Sequence, residues 1–239
     1  MRLFINLLLL CISVHSTANQ NLMVVTELSP PNQVLLNNQV TGYSTELVNM
    51  IILEAKLNAP INMYPWARAY KMAVNNSNTL IYSMARTTDR ETLFHWIGPV
   101  AQFEMGFVKL SERSDINFDN TEQAKQYKIA VQRHDLASQV LVKRGFEVLL
   151  TTDIQKSYQL LLARKVDLVV DDANYLASMS EQLAINANAL TFIHAIEGLA
   201  VAGYLAANIN TDEDIIKALQ QAFLKVKSTE KYRQLITAH

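Results

Sequence analysis

The residues of this sequence able to do chemistry gather in five short stretches: Glu27, Trp66 after Pro65, the run 83–91 (SMARTTDRE), the run 132–135 (QRHD), and Asp171 with Asp172. Among these side chains, Arg86 and Arg90 carry guanidinium forks that only donate, whereas the carboxylates of Glu27, Asp135, Asp171 and Asp172 only accept when ionised. The face of Trp66 can stack on a flat group or attract a cation. Glu27, His134, Asp171 and Asp172 could supply an acid/base pair. No nucleophile motif, metal-ligand spacing or phosphate-cradling glycine loop accompanies them, so the chemistry they suggest is binding, with no cofactor and no metal. Each residue also has an ordinary reading. Arg90 or Arg86 can pair with a neighbouring acid at the surface, Asp171 or Asp172 can cap a helix, Glu27 can be a solvated loop residue, Trp66 can be core, and Arg68 can be solvated.

Something must hold these stretches together. Apolar runs predict strands at 22–26, 61–64, 80–84, 128–131, 148–150 and 166–171. Helical spacing predicts helices over 45–55, 66–74, 136–143, 154–163 and 212–227, with Ser44 capping the first. Strand and helix therefore alternate twice in the same order, which implies two α/β lobes with mostly parallel sheets. Extended segments at 100–110 and 199–206 read as a two-strand hinge between them. Lobe one is expected over 19–103 and 197–239, with lobe two (104–196) inserted. All five chemical stretches then follow predicted strands, at the edge where open α/β sheets bind ligands.

Composition narrows the class. The 21 basic and 22 acidic residues leave a formal net charge of −1, and no basic, aromatic-interleaved cluster marks a nucleic-acid surface. Arg2, the apolar run 3–14 and the small residues Ser16 and Ala18 read as a secretory signal peptide (1–18), cut after about Ala18. The single cysteine, Cys11, would leave with it, so stability would rest on packing without disulfides.

The stretch 83–99 resembles a known family. Thr87, Arg90, Trp96 and Pro99 stand in the register of a T-x-x-R, aromatic, Pro signature found in the polar amino-acid family of periplasmic solute-binding proteins (bacterial extracellular solute-binding family 3, type II periplasmic binding fold). The run 167–172 (DLVVDD) resembles that family's D-x-x-x-x-D strand. The resemblance implies that Arg90 grips a ligand carboxylate and that Ser83 and the main chain at Ala85 assist it. It further implies that Asp172 receives an ammonium, and that Glu27 and Trp66 line the pocket. A guanidinium facing a carboxylate across a cleft suits a zwitterion. Arg86 has no counterpart in the commonest pattern. His134 and Asp135 depart from it, standing where relatives offer a glycine and a hydroxyl to the carboxylate; Asp135 is expected to cap its helix and His134 to narrow the cleft.

The expectation is a monomeric, non-catalytic periplasmic protein that binds a small amino-acid-like solute and delivers it to an inner-membrane ABC transporter permease. A sensing partner of a membrane receptor, or a cyclic amino-acid precursor dehydratase of the same fold, is the alternative.

Overall fold

The computed structural model describes residues 22–238. The signal-peptide reading, with Cys11 and the cut after Ala18, lies outside the described residues.

The chain folds as β1 (Met23–Thr26), β2 (Val34–Leu36), β3 (Gln39–Thr41), α1 (Tyr43–Glu54), β4 (Ile61–Met63), α2 (Trp66–Asn75), β5 (Thr79–Ala85) and β6 (Phe94–Leu110). It continues as β7 (Ile129–Gln132), α3 (Leu136–Lys143), β8 (Val148–Thr151), α4 (Ile154–Leu162), β9 (Leu168–Asp172), α5 (Leu176–Gln182), β10 (Leu190–Asn208), α6 (Glu213–Lys227) and α7 (Glu230–Ile236). Eight strands hydrogen-bond in the order β4-β1-β5-β10-β6-β9-β7-β8. The outer triplets β4-β1-β5 and β9-β7-β8 are each parallel, and β6 and β10 run antiparallel between them.

Helices cover both faces of each triplet, so strands such as β5 (TLIYSMA) are apolar almost without alternation. In the first lobe, Leu47, Val48 and Ile51 of α1 pack with Leu219 and Phe223 of α6 on one face. Trp66, Ala69 and Ala73, one helical stripe of α2, pack with Phe94 and Ala206 on the other. The second lobe repeats the plan. Phe107, Ile129 and Leu141 fill one side, while Val108, Tyr158, Leu161 and Met179 fill the other.

Where the lobes meet, the register of β10 on β6 breaks: Ala195 pairs with Gly106, yet Ala200 pairs with Glu104. Residues 196–199 thus bulge opposite Met105, with Gly198 at φ 86°. A bulge bends its strand and loosens pairing locally, so the joint between the lobes is the least regular part of the sheet.

The structure differs from the expected elements in three places. The crossings are longer than expected, because β6 begins at Phe94, paired with Asn208, and absorbs the apolar run that leads to Pro99. The β2–β3 hairpin, α5 and α7 were not expected from the pattern. Ser44 does not cap α1, which starts one residue earlier behind Gly42. Gly42 sits at φ 112°, and a Cβ there would lie 2.5 Å from the carbonyl oxygens of Pro31 and Asn32. Ser44 is buried and donates to the Val100 carbonyl at 2.7 Å.

Candidate functional site

The carboxyl ends of β1 and β5 in one lobe, and of β7 and β9 in the other, open onto a shared cavity of about 60 Å³. The first lobe contributes Glu27, Trp66, Ser83, Ala85 and Arg90; the second contributes Gln132, Asp135, Asp171, Asp172 and Tyr175.

Arg90 ends a 3₁₀ turn (Thr88–Arg90) just after β5, and only 1% of it is exposed. Its Nη1 donates to the Ala85 carbonyl at 2.7 Å, and its Nη2 reaches across to the His134 carbonyl of the other lobe, also at 2.7 Å. The guanidinium carbon stands 5.2 Å from the centre of the Tyr70 ring and 5.7 Å from that of Trp66. Carbonyls and ring faces together make a buried cation tolerable. Its Nε is buried and has no hydrogen-bond partner among the described residues.

Beside it, Ser83 adopts φ 58° at the end of β5, a left-handed conformation uncommon for a residue with a side chain. It is held by the Gln33 amide, which donates to its hydroxyl, and by Gly203 behind it, where a Cβ would come within 3.0 Å of the Ser83 backbone. The strand end is therefore packed into place from both sides.

The second lobe presents acids. Asp135 accepts from the Leu136 amide at 2.6 Å as the N-cap of α3. Burial raises its carboxyl pKa, against the opposing pull of Arg90. Asp172, 1% exposed, accepts from the Glu104 amide at 2.5 Å and the Asn174 amide at 2.8 Å, tying β9 to β6 and starting the turn at Ala173–Tyr175. Asp171 accepts from the Tyr158 hydroxyl at 2.7 Å and the Asp172 amide at 2.8 Å. Burial pushes its carboxyl up to about 7, helped by the charges of Asp172 and Asp135 and opposed by those two hydrogen bonds.

Glu27, from the first lobe, faces this acidic wall. Its carboxyl is raised well above the usual range, first by burial, then by Asp135, with Asp171 and Asp153 adding to the effect. A hydrogen bond from the Gln132 side chain across the cleft works the other way. Both Glu27 Oε2 and Gln132 Oε1 are buried without a partner among the described residues. A further link joins the lobes, where the Asn32 amide donates to the Tyr175 hydroxyl.

Of the residues the sequence singled out, Glu27, Trp66, Ser83, Ala85, Arg90 and Asp172 come together on this cavity. Arg86 does not. Its fork pairs with Glu91 at 2.7 and 2.9 Å at the surface and lies over Trp96, whereas the Thr88–Arg90 turn that follows buries Arg90. His134 also leaves the cavity: at φ 66° its exposed ring stacks on Tyr70 at 5.8 Å, and only its carbonyl turns inward. Arg68 is exposed over the Tyr64 ring. Gln132 and Tyr175 were not singled out. Gln132 follows the predicted strand 128–131 and opens the run 132–135 without a role assigned to it; Tyr175 carried no signal.

Among the described residues no group of three His, Cys, Asp or Glu side chains is arranged to hold a metal ion, and no helix is long and apolar enough to cross a membrane.

The family model described as bacterial extracellular solute-binding proteins, family 3, matches residues 22–239. A comparison with curated protein sequences gives no match. Among solved structures, a histidine kinase sensor domain with similarity to periplasmic binding proteins superposes with a TM-score of 0.77 at 14% identity, covering 90% of this chain and 94% of the other. The GluR0 ligand-binding core from Nostoc punctiforme, solved with L-glutamate, gives 0.72 at 20% identity over 90% and 96%. An amino acid ABC transporter substrate-binding protein from Streptococcus pneumoniae, solved with L-arginine, gives 0.74 at 17% over 90% and 91%. These likenesses show a type II periplasmic binding fold, and the family is one of solute-binding proteins.

Proposed function

Since the chain belongs to the bacterial extracellular solute-binding proteins, family 3, we propose that it captures a small, amino-acid-like solute between its lobes in the periplasm and passes it to an ABC transporter permease. The observation that carries this reading is the shared cavity, whose lining residues in both lobes keep buried polar atoms without partners among the described residues: Trp66 Nε1 and Arg90 Nε on one side, Gln132 Oε1 on the other. Native structures seldom leave buried polar groups unmet, so such a set calls for a polar occupant. On this reading the protein is a monomer without catalytic turnover or nucleic-acid contacts, exported by a signal peptide cut after about Ala18. Its lobes span 19–103 with 197–239 and 104–196, hinging at the register break between Ala195 and Ala200.

A second reading has the same cleft reporting a solute to a membrane receptor, and the sensor-domain neighbour supports it. The two share a first experiment, a thermal-shift screen of the purified mature chain against L-amino acids and their amine relatives. A ligand at a hundred times its Kd stabilises the native state by about 2.7 kcal/mol, a readily measured shift. A screen in which only sugars shift the protein would overturn the amino-acid assignment.

A further inference from the structure

The solved neighbours carry ligands of either charge, so the charge of this protein's solute has to be read from its own residues. Among the described residues, four acids line the cavity, Glu27, Asp135, Asp171 and Asp172, against the single guanidinium of Arg90. Asp135 and Asp172 are engaged as acceptors of backbone amides, and Arg90 is engaged with two carbonyls and acts on Asp135. Glu27 and Asp171 are in a different position. Among the described residues, the charges acting on Glu27 come from Asp135 at the start of α3, Asp171 on β9 and Asp153 before α4, and all are acidic. Those acting on Asp171 come from Asp172 and Asp135, and its donors, the Tyr158 hydroxyl on α4 and the Asp172 amide, are neutral.

The free hydrogen-bonding atoms point the same way. Gln132 is 9% exposed and acts on the Glu27 carboxyl as a donor, while Gln132 Oε1 and Glu27 Oε2 are buried acceptors with no donor among the described residues. Turning the amide over would set an oxygen against the carboxylate, so this orientation is the favoured one. Paired acceptors in an acidic recess are satisfied by a group that only donates, an ammonium or a guanidinium.

We propose that the solute is an organic cation with net positive charge, and that its ammonium or guanidinium group is received between Glu27 of one lobe and Asp171 and Gln132 of the other. The proposal rests on the solute-binding reading and deepens it. A zwitterion brings a carboxylate with its amine and leaves the acidic excess unchanged, whereas a net cation offsets it. Burial and the neighbouring acids raise both carboxyl groups, Asp171 to about 7, so the cavity without the cation favours their protonated forms. Entry of the cation therefore expels protons.

The test is calorimetric titration near pH 7 with matched probes: L-lysine against L-norleucine, L-arginine against L-citrulline, and putrescine against L-glutamate. The cationic member of at least one pair should bind at least about tenfold tighter than its counterpart. Its binding heat should change with the ionisation enthalpy of the buffer, as proton release requires. Glu27→Gln should shrink the preference within that pair to about threefold or less and reduce the released protons. Because the wild-type ratio needs no variant, misfolding of Glu27→Gln cannot mask the result. If in every pair that binds L-norleucine, L-citrulline or L-glutamate binds as well as its cationic partner or better, the charge assignment falls and solute binding stands. If no probe binds, the charge assignment falls, and the broader reading is then decided by the full amino-acid screen.

Discussion

The two lobes meet the cavity with equivalent strand ends and opposite chemistry. The end of β5 presents a cation that is already satisfied: Arg90 is wrapped by two carbonyls and two aromatic rings, and one of those carbonyls belongs to the facing lobe. The end of β9 presents two consecutive acids with different fates, Asp172 consumed by the backbone and Asp171 held by a tyrosine at a raised pKa. A charge at a strand end therefore does not by itself identify a ligand contact. What identifies it is which of its hydrogen-bonding atoms remain unmet once the fold has taken its share. By that measure the corner around Glu27 and Gln132 offers acceptors, while the corner around Arg90 offers Nε and a bridge between lobes.

The sharpest way to break this comparison is to remove the bridge. Arg90→Ala takes away the Nη2 bond to His134 and leaves Asp135 without the cation that acts on it. Truncating one partner of a desolvated charge pair costs on the order of 2–5 kcal/mol, so the best hit from the screen should bind about thirty-fold or more weakly by calorimetry, with the far-ultraviolet spectrum unchanged. Undiminished affinity would show that Arg90 is neither bridge nor contact.

The alternation of apolar runs made both lobes readable from the sequence, because strands buried on both faces are written as continuous Val, Ile and Leu. The resemblance at 83–99 drew attention to Arg90, which the structure sets on the cavity. Three features were not readable. Whether Arg86 or Arg90 turns inward depends on the 3₁₀ turn between them, a matter of four residues that no periodicity encodes. The outward ring of His134 follows from a positive φ, which a histidine's identity does not announce. The roles of Gln132 and Tyr175 arise only when the lobes face each other, from contacts more than a hundred residues apart in the chain.

A gentler probe of the acidic side is pH. Asp171 has a folded-state carboxyl near 7 against the usual 3.8, so between those values the folded protein holds a proton that the unfolded chain has released. Stability of the ligand-free protein then falls as pH rises through that window and levels off above it, by up to about 1.4 kcal/mol per unit. The raised Glu27 acts in the same sense. Asp171→Asn should flatten much of this slope when Tm is measured from about pH 4.5 to 7.5. A slope identical to that of the parent would mean that Asp171 is ionised throughout and that the acidic wall is already neutralised.

The smallest effect is expected at Arg86, and it sharpens the comparison because Arg86 and Arg90 share a segment and a residue type. Arg86 is 46% exposed at its side chain and pairs with Glu91, itself 40% exposed. Its fork is well made, with two bonds under 3 Å, but water competes for both partners and salt screens them. It also lies over the Trp96 and Tyr204 rings, 5.4 and 5.9 Å from their centres, which adds a contact of the exposed and therefore weaker kind. Arg86→Ala should accordingly move Tm by no more than about 2 °C and leave the affinity of the best hit unchanged, since no atom of Arg86 lines the cavity. A loss of affinity comparable to that of Arg90→Ala would place both guanidinium groups at the ligand and would mean that the lobes close on the solute differently from the arrangement described.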